Sequence, residues 1–156
     1  MLCLSIFLLS IALLPTLSYS QSTNPLQPFE QFIGEWELDN SLQVFEWGPG
    51  KTSVMAKSYQ IGRDGSQTLV SEGMWFWHPG EQRIKGYITA INMSVSFFDY
   101  TTKFKNAKMM SELSAYNKKG NKSVYTEVME MQSDSTYKWT LFQQDNTVME
   151  GVFKRK

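Results

Sequence analysis

Short alternating segments, broken every few residues by turn chemistry, constrain this chain most. Gly48-Pro49-Gly50, Arg63-Asp64-Gly65, His78-Pro79-Gly80, Lys118-Lys119-Gly120-Asn121, Ser133-Asp134-Ser135 and Asp145-Asn146 punctuate it at near-regular intervals. Glycine, proline, Asn and Asp mark turns because they supply left-handed or preset backbone angles. Between them lie runs rich in aromatic and β-branched residues, which suit a pleated surface. Nine strands are expected: about Gly34–Trp47 with a bend near Asp39-Asn40, then Thr52–Ile61, Thr68–Trp77, Arg83–Ile91 and Ser94–Lys105. Met109–Tyr116, Ser123–Met131, Tyr137–Gln143 and Val148–Arg155 complete the set. No helical pattern of ten residues or more intervenes. The expectation is an all-β fold, an antiparallel meander β-barrel of nine or ten strands, with a short N-terminal helical turn within Leu26–Ile33.

The 156 residues suffice for one domain with a sizeable core. No linker divides the chain after its first residues. Residues 1–20 carry no charged side chain, and Leu2–Leu14 is a nearly unbroken apolar run ended by Pro15. Ser18-Tyr19-Ser20 offers small residues where a signal peptidase reads, so cleavage before Gln21 is expected. The competing reading is an uncleaved anchor, but the run is shorter than the roughly 20 residues a spanning helix needs. Residues 21–28 then read as a flexible leader and 29–156 as the barrel domain. The corresponding location is secreted or periplasmic, with no stable membrane insertion of the mature chain.

Cys3 is the only cysteine and would leave with the signal. The mature chain then has no thiol for disulfides, zinc-thiolate sites or nucleophilic catalysis. Fifteen basic and fifteen acidic residues balance, so no electrostatic argument favours nucleic acid. His78 is the only histidine, which removes His-based triads and multi-histidine metal sites. As a lone haem ligand it is poorly placed, before Pro79-Gly80 at a strand tip, and no cofactor is expected. Gly-x-Ser-x-Gly and phosphate-cradling glycine loops are absent.

Phe32-Ile33-Gly34-Glu35-Trp36-Glu37-Leu38 begins the first strand. Trp36 and Leu38 share one face, and Glu35, Glu37 and Asp39 the other. A Gly-x-Trp on the first strand after a helical turn resembles the calycins: the lipocalins, the fatty-acid-binding proteins and the nitrobindin-type barrels. Small bacterial secreted lipocalin-like proteins are similar as well. The resemblance implies that a basic residue near the end of the barrel, Arg155 or Lys154, covers the ring of Trp36.

A barrel of this size either fills its interior or leaves room for one small ligand. Trp75, Trp139 and their neighbours supply aromatic surface. Glu72 shares a face with Val70, Met74 and Phe76; Asp99 with Val95 and Phe97; Glu127 with Tyr125, Met129 and Met131. A carboxylate inside such alternation is costly unless paired or hydrogen-bonded, so it marks either a solvent face or a polar floor. Tyr59, Glu72, Trp75, Tyr87, Asp99, Glu127 and Trp139 are the candidate ligand-binding residues, for a small apolar or aromatic molecule. An isomerase or hydrolyase using Glu72, Asp99 and a tyrosine is the alternative. A filled barrel acting as an interaction module is the second alternative. Parity fixes which residues share a face, not which face is inside.

Overall fold

The computed structural model describes residues 24–156. The expected signal segment, its cleavage site and Cys3 lie outside the described residues. Ten strands follow in chain order: β1 (Gly34–Leu38), β2 (Ser41–Trp47), β3 (Ser53–Ile61), β4 (Gln67–His78) and β5 (Arg83–Ala90). The second half holds β6 (Phe97–Lys105), β7 (Lys108–Tyr116), β8 (Lys122–Ser133), β9 (Thr136–Gln143) and β10 (Asn146–Arg155). Each pairs antiparallel with its neighbours in sequence, and β1 pairs with β10, so the sheet closes into an all-β meander barrel. This topology is compatible with a calycin-like fold. No helix among the described residues is long and apolar enough to cross a membrane.

The tenth strand comes from the bend expected near Asp39-Asn40, which is a full hairpin. Leu38 pairs with Ser41 across it, and Asp39 takes a left-handed backbone at φ 52°. Asp tolerates that region because its short polar side chain bonds locally. β6 starts at Phe97, three residues later than the alternation suggests, and residues 91–96 form the connecting loop.

A 3-10 turn, Gln27–Phe32, plugs the end of the barrel where β1 begins. Pro28 sits in its first turn, where a missing N–H costs nothing. Leu26, Phe29 and Phe32 are each 1 % exposed. Phe29 meets Trp75 and Phe104 at ring-centre distances of 5.6 and 4.9 Å, and Phe32 meets Tyr137 at 5.6 Å. The reading of residues 21–28 as a flexible leader is therefore corrected from Asn24 onward. Leu26 is part of the core, and Asn24 Oδ1 accepts from the Leu26 backbone N–H at 2.9 Å. An isolated Leu-x-x-Phe-x-x-Phe is too short to signal burial by itself; the barrel mouth supplies the partner surface.

Trp36 is fully buried at 0 % exposure and packs edge-on against Tyr137, 4.8 Å between ring centres. Its indole N–H donates to the Phe32 carbonyl at 2.7 Å. The Arg155 guanidinium lies 4.0 Å from the centre of the Trp36 ring, as the calycin resemblance implies. Arg155 also donates to the carbonyls of Ile33 (2.7 Å), Gln31 (3.0 Å) and Asp134 (3.0 Å). Plug, first strand and last strand thus meet at one side chain.

Candidate binding site in the barrel lumen

Register decides which face is inward. Trp36 is inside and lies opposite Gln43; Gln43 pairs with Ser58, Ser58 with Ser71, and Ser71 with Ala90. Continuing around, Trp75, Gly86, Tyr100 and Leu113 fall on the inner face, as do Glu127, Trp139 and Gly151. Three of the seven expected site residues, Trp75, Glu127 and Trp139, are therefore brought to the lumen.

The other four point outward, and their assignment to a cavity inside the barrel is corrected. Tyr59 follows the outer face with Lys57, Glu72 pairs with Lys57 on that face and is exposed, and Tyr87 is 40 % exposed. Asp99 pairs with Tyr87 in register, and its Oδ1 lies 2.8 Å from Lys85 Nζ in a partly buried ion pair on the outer face. Hydrophobic residues occupy both faces here, which is why the alternation misleads. Phe76, Tyr87, Phe97 and Tyr116 form an outer ladder with ring-centre distances of 5.9, 5.9 and 6.0 Å. An aromatic neighbour at i±2 is no proof of an interior position when the exterior is aromatic too. The Glu72–Asp99 constellation required by the enzyme alternative does not form inside the barrel.

The lumen has two halves. The plugged half is solid with Trp36, Phe45, Val54, Trp75, Met109, Tyr137 and Phe153. On the inner face of the other half, Ser58, Ser71, Gly73 and Ser123 are small, and Ile88, Phe98, Tyr125 and Leu141 keep partial exposure. These last four pack against the core cluster, and their partial exposure sets this end apart from the fully buried one. Two depressions, of about 580 and 200 Å³, lie instead over the outer side of β5 to β8, around Lys103, Met110 and Glu112 and around Lys85, Asp99 and Lys122.

Glu127 stands between these halves. It is 9 % exposed, and its Oε1 accepts the Trp139 indole N–H at 2.7 Å. Its Oε2 has no hydrogen-bond partner among the described residues. Burial penalises the charged form and pushes this carboxyl up to about 7, although the Trp139 bond opposes the shift. Burial also raises the hydroxyls of Tyr100 and Tyr137, and the nearby Glu127 charge adds to both. Tyr137 donates to Gln43 Oε1, while Thr102 and Ser111 share a buried hydrogen bond of 2.9 Å. Trp75 Nε1 is buried with no partner among the described residues, its edge against the backbone of Gly86.

Gln43, which sequence reasoning did not single out, belongs to this interior polar set together with Tyr100 and Tyr137. Gln43 carried the readable signal, a polar residue on the same strand parity as Phe45 and Trp47. His78 ends β4 on the outer face, where its Nδ1 accepts from the Glu81 backbone N–H at 3.0 Å. Among the described residues no group of three or more His, Cys, Asp or Glu could hold a metal ion. Comparison with family models, with curated proteins and with solved structures returned no match.

Proposed function

We propose that the protein is an exported, calycin-like binding protein that takes one small, partly apolar molecule into the open half of its barrel. The observation that carries the reading is Glu127: an inward carboxyl with one filled and one vacant oxygen, below a half-lumen lined by small and part-exposed residues. Ligand sites commonly combine apolar walls with a few polar groups that set orientation. Trp139, Tyr125, Leu141 and Phe98 are the walls, and Glu127 the polar group at the floor. The closed ten-strand meander and the Trp36–Arg155 contact support the calycin-like relationship. The uncharged Leu2–Leu14 run supports export. Native mass spectrometry of protein purified from its source tests the binding reading, with a retained adduct as the expected result. A bare chain, together with no binding of small aromatic probes, refutes it. N-terminal sequencing of the mature protein tests export: Gln21 is expected first, and an intact Met1 on a soluble cytoplasmic product refutes it.

A second reading, an interaction module, is favoured by the outer ladder Phe76–Tyr87–Phe97–Tyr116 and its exposed neighbour Met74. Self-association through that face would appear as a dimer in sedimentation equilibrium and would be lost in Tyr87→Glu.

A further inference from the structure

Among the described strands, register turns only two charged side chains toward the lumen. Arg155 is one, and it is bound over Trp36 at the plugged end. Glu127 is the other, and it takes part in none of the ion pairs among the described residues. The lysines on the strands around it, Lys108, Lys122 and Lys138, share register with the outer face; Lys108 and Lys138 pair there with Glu130 and Glu150.

The groups that face Glu127 are known from each neighbouring element. Tyr100 comes from β6, Ser111 from β7, and Tyr137, Trp139 and Leu141 from β9; Tyr125 lies on its own strand. None is cationic at neutral pH. Buried carboxylates are ordinarily paired with a cation or held neutral. The chain itself offers no such cation here. Trp139 presents its N–H edge to the carboxyl, and the aromatic side chains of Tyr100 and Tyr137 lie near it, a setting in which a bound cation can also meet ring faces.

Resting on the binding reading above, we propose that the molecule held in the lumen is an organic cation. It is an amine with an apolar body, and its ammonium group pairs with Glu127 Oε2 beside Trp139 and Tyr100. Pairing favours the ionised carboxylate, so uptake displaces the proton that Glu127 carries when empty. With that carboxyl near 7, its ionised fraction rises from about one tenth at pH 6 to about nine tenths at pH 8. Affinity for a cation that stays protonated throughout then rises about tenfold over the same interval.

Three probes of matched shape and different charge test this: benzylamine, benzyl alcohol and benzoate, titrated by calorimetry at pH 6 and pH 8. Benzylamine is expected to bind most tightly, about tenfold better at pH 8 than at pH 6. At pH 7 it should release about half a proton per complex, read from the dependence of the heat on buffer ionisation enthalpy. Glu127→Gln should lose at least tenfold in benzylamine affinity, together with the pH dependence, while keeping its affinity for benzyl alcohol. The proton-release measurement uses the unaltered chain, so it decides even where the variant folds poorly. Benzyl alcohol or benzoate binding as well as benzylamine, or no proton release, overturns the cation assignment and leaves lumen binding standing. Failure of all three probes overturns both.

Discussion

Replacing Arg155 with methionine keeps an unbranched apolar stem over Trp36 and removes the charged fork. The loss can be built up from the contacts. The guanidinium stands 4.0 Å from the Trp36 ring centre, and a cation so placed at an exposed site is worth about 0.5–1 kcal/mol. The same group donates to three main-chain carbonyls, at 2.7, 3.0 and 3.0 Å. Arg155 is exposed, so water replaces part of each bond, and about 0.5–1 kcal/mol apiece is the fitting scale. Together these give a destabilisation of about 2–4 kcal/mol for Arg155→Met. Urea denaturation followed by tryptophan fluorescence measures it, and the melting temperature should fall by roughly 5–15 °C. Arg155→Lys restores the charge but cannot reach all three carbonyls, and should recover about half of the loss. If both variants unfold within about 0.5 kcal/mol of the parent, the latch does not hold plug and seam together, and the reasoning is wrong.

Glu127 makes stability depend on pH. Its folded carboxyl stands near 7 against an ordinary value of 4.5, so the folded state binds more protons than the unfolded state between those values. Stability is therefore highest below pH 4.5 as far as this group is concerned, falls through the window to pH 7, and levels off above it, by up to about 3 kcal/mol in total. Denaturation midpoints for parent and Glu127→Gln across pH 4–8 should differ in slope in that window, and parallel curves would contradict the burial of the carboxyl. Gly86→Ala should cost about 1–3 kcal/mol, because its new methyl would sit 2.6 Å from Trp75 Cδ1 and force the indole to shift. An unchanged thermal midpoint would show that Trp75 moves freely.

Much of the fold was legible in the sequence because turns announce themselves locally. Gly48-Pro49-Gly50, Asp64-Gly65 and Lys119-Gly120 all fall between strands, where left-handed glycines at Gly50, Gly65 and Gly120 sit. The contact between Trp36 and Arg155 was legible only through a resemblance, since nothing in the 118 intervening residues connects them. The site was half legible. Parity correctly grouped Glu127 with Tyr125, Met129 and Met131, which are inside, and Glu72 with Met74 and Phe76, which are outside. What it lacked was the sign of each face. That sign depends on register across the whole sheet, and shifts at Ser58/Tyr59, Thr147/Met149 and Met131/Ser133 break simple counting. The burial of Leu26 was illegible for a related reason: it depends on a barrel mouth assembled from strands far along the chain.

The seam between β1 and β10 is short: Trp36 lies opposite Arg155 and Glu37 opposite Lys154, with the Lys156 N–H reaching the Glu35 carbonyl at 3.0 Å. Every other pairing joins neighbours in sequence and can zip as soon as those neighbours are free to fold. This one must wait for residues made more than a hundred positions later. Until then the growing sheet has two open edges, the state in which strands recruit strands from other chains. Loss of only the final two residues, Arg155 and Lys156, would remove half of the seam register and leave a curled sheet in place of a cylinder. The hazard would then be intermolecular pairing before the sheet closes, governed by how many unclosed chains stand side by side, more than unfolding of the finished protein.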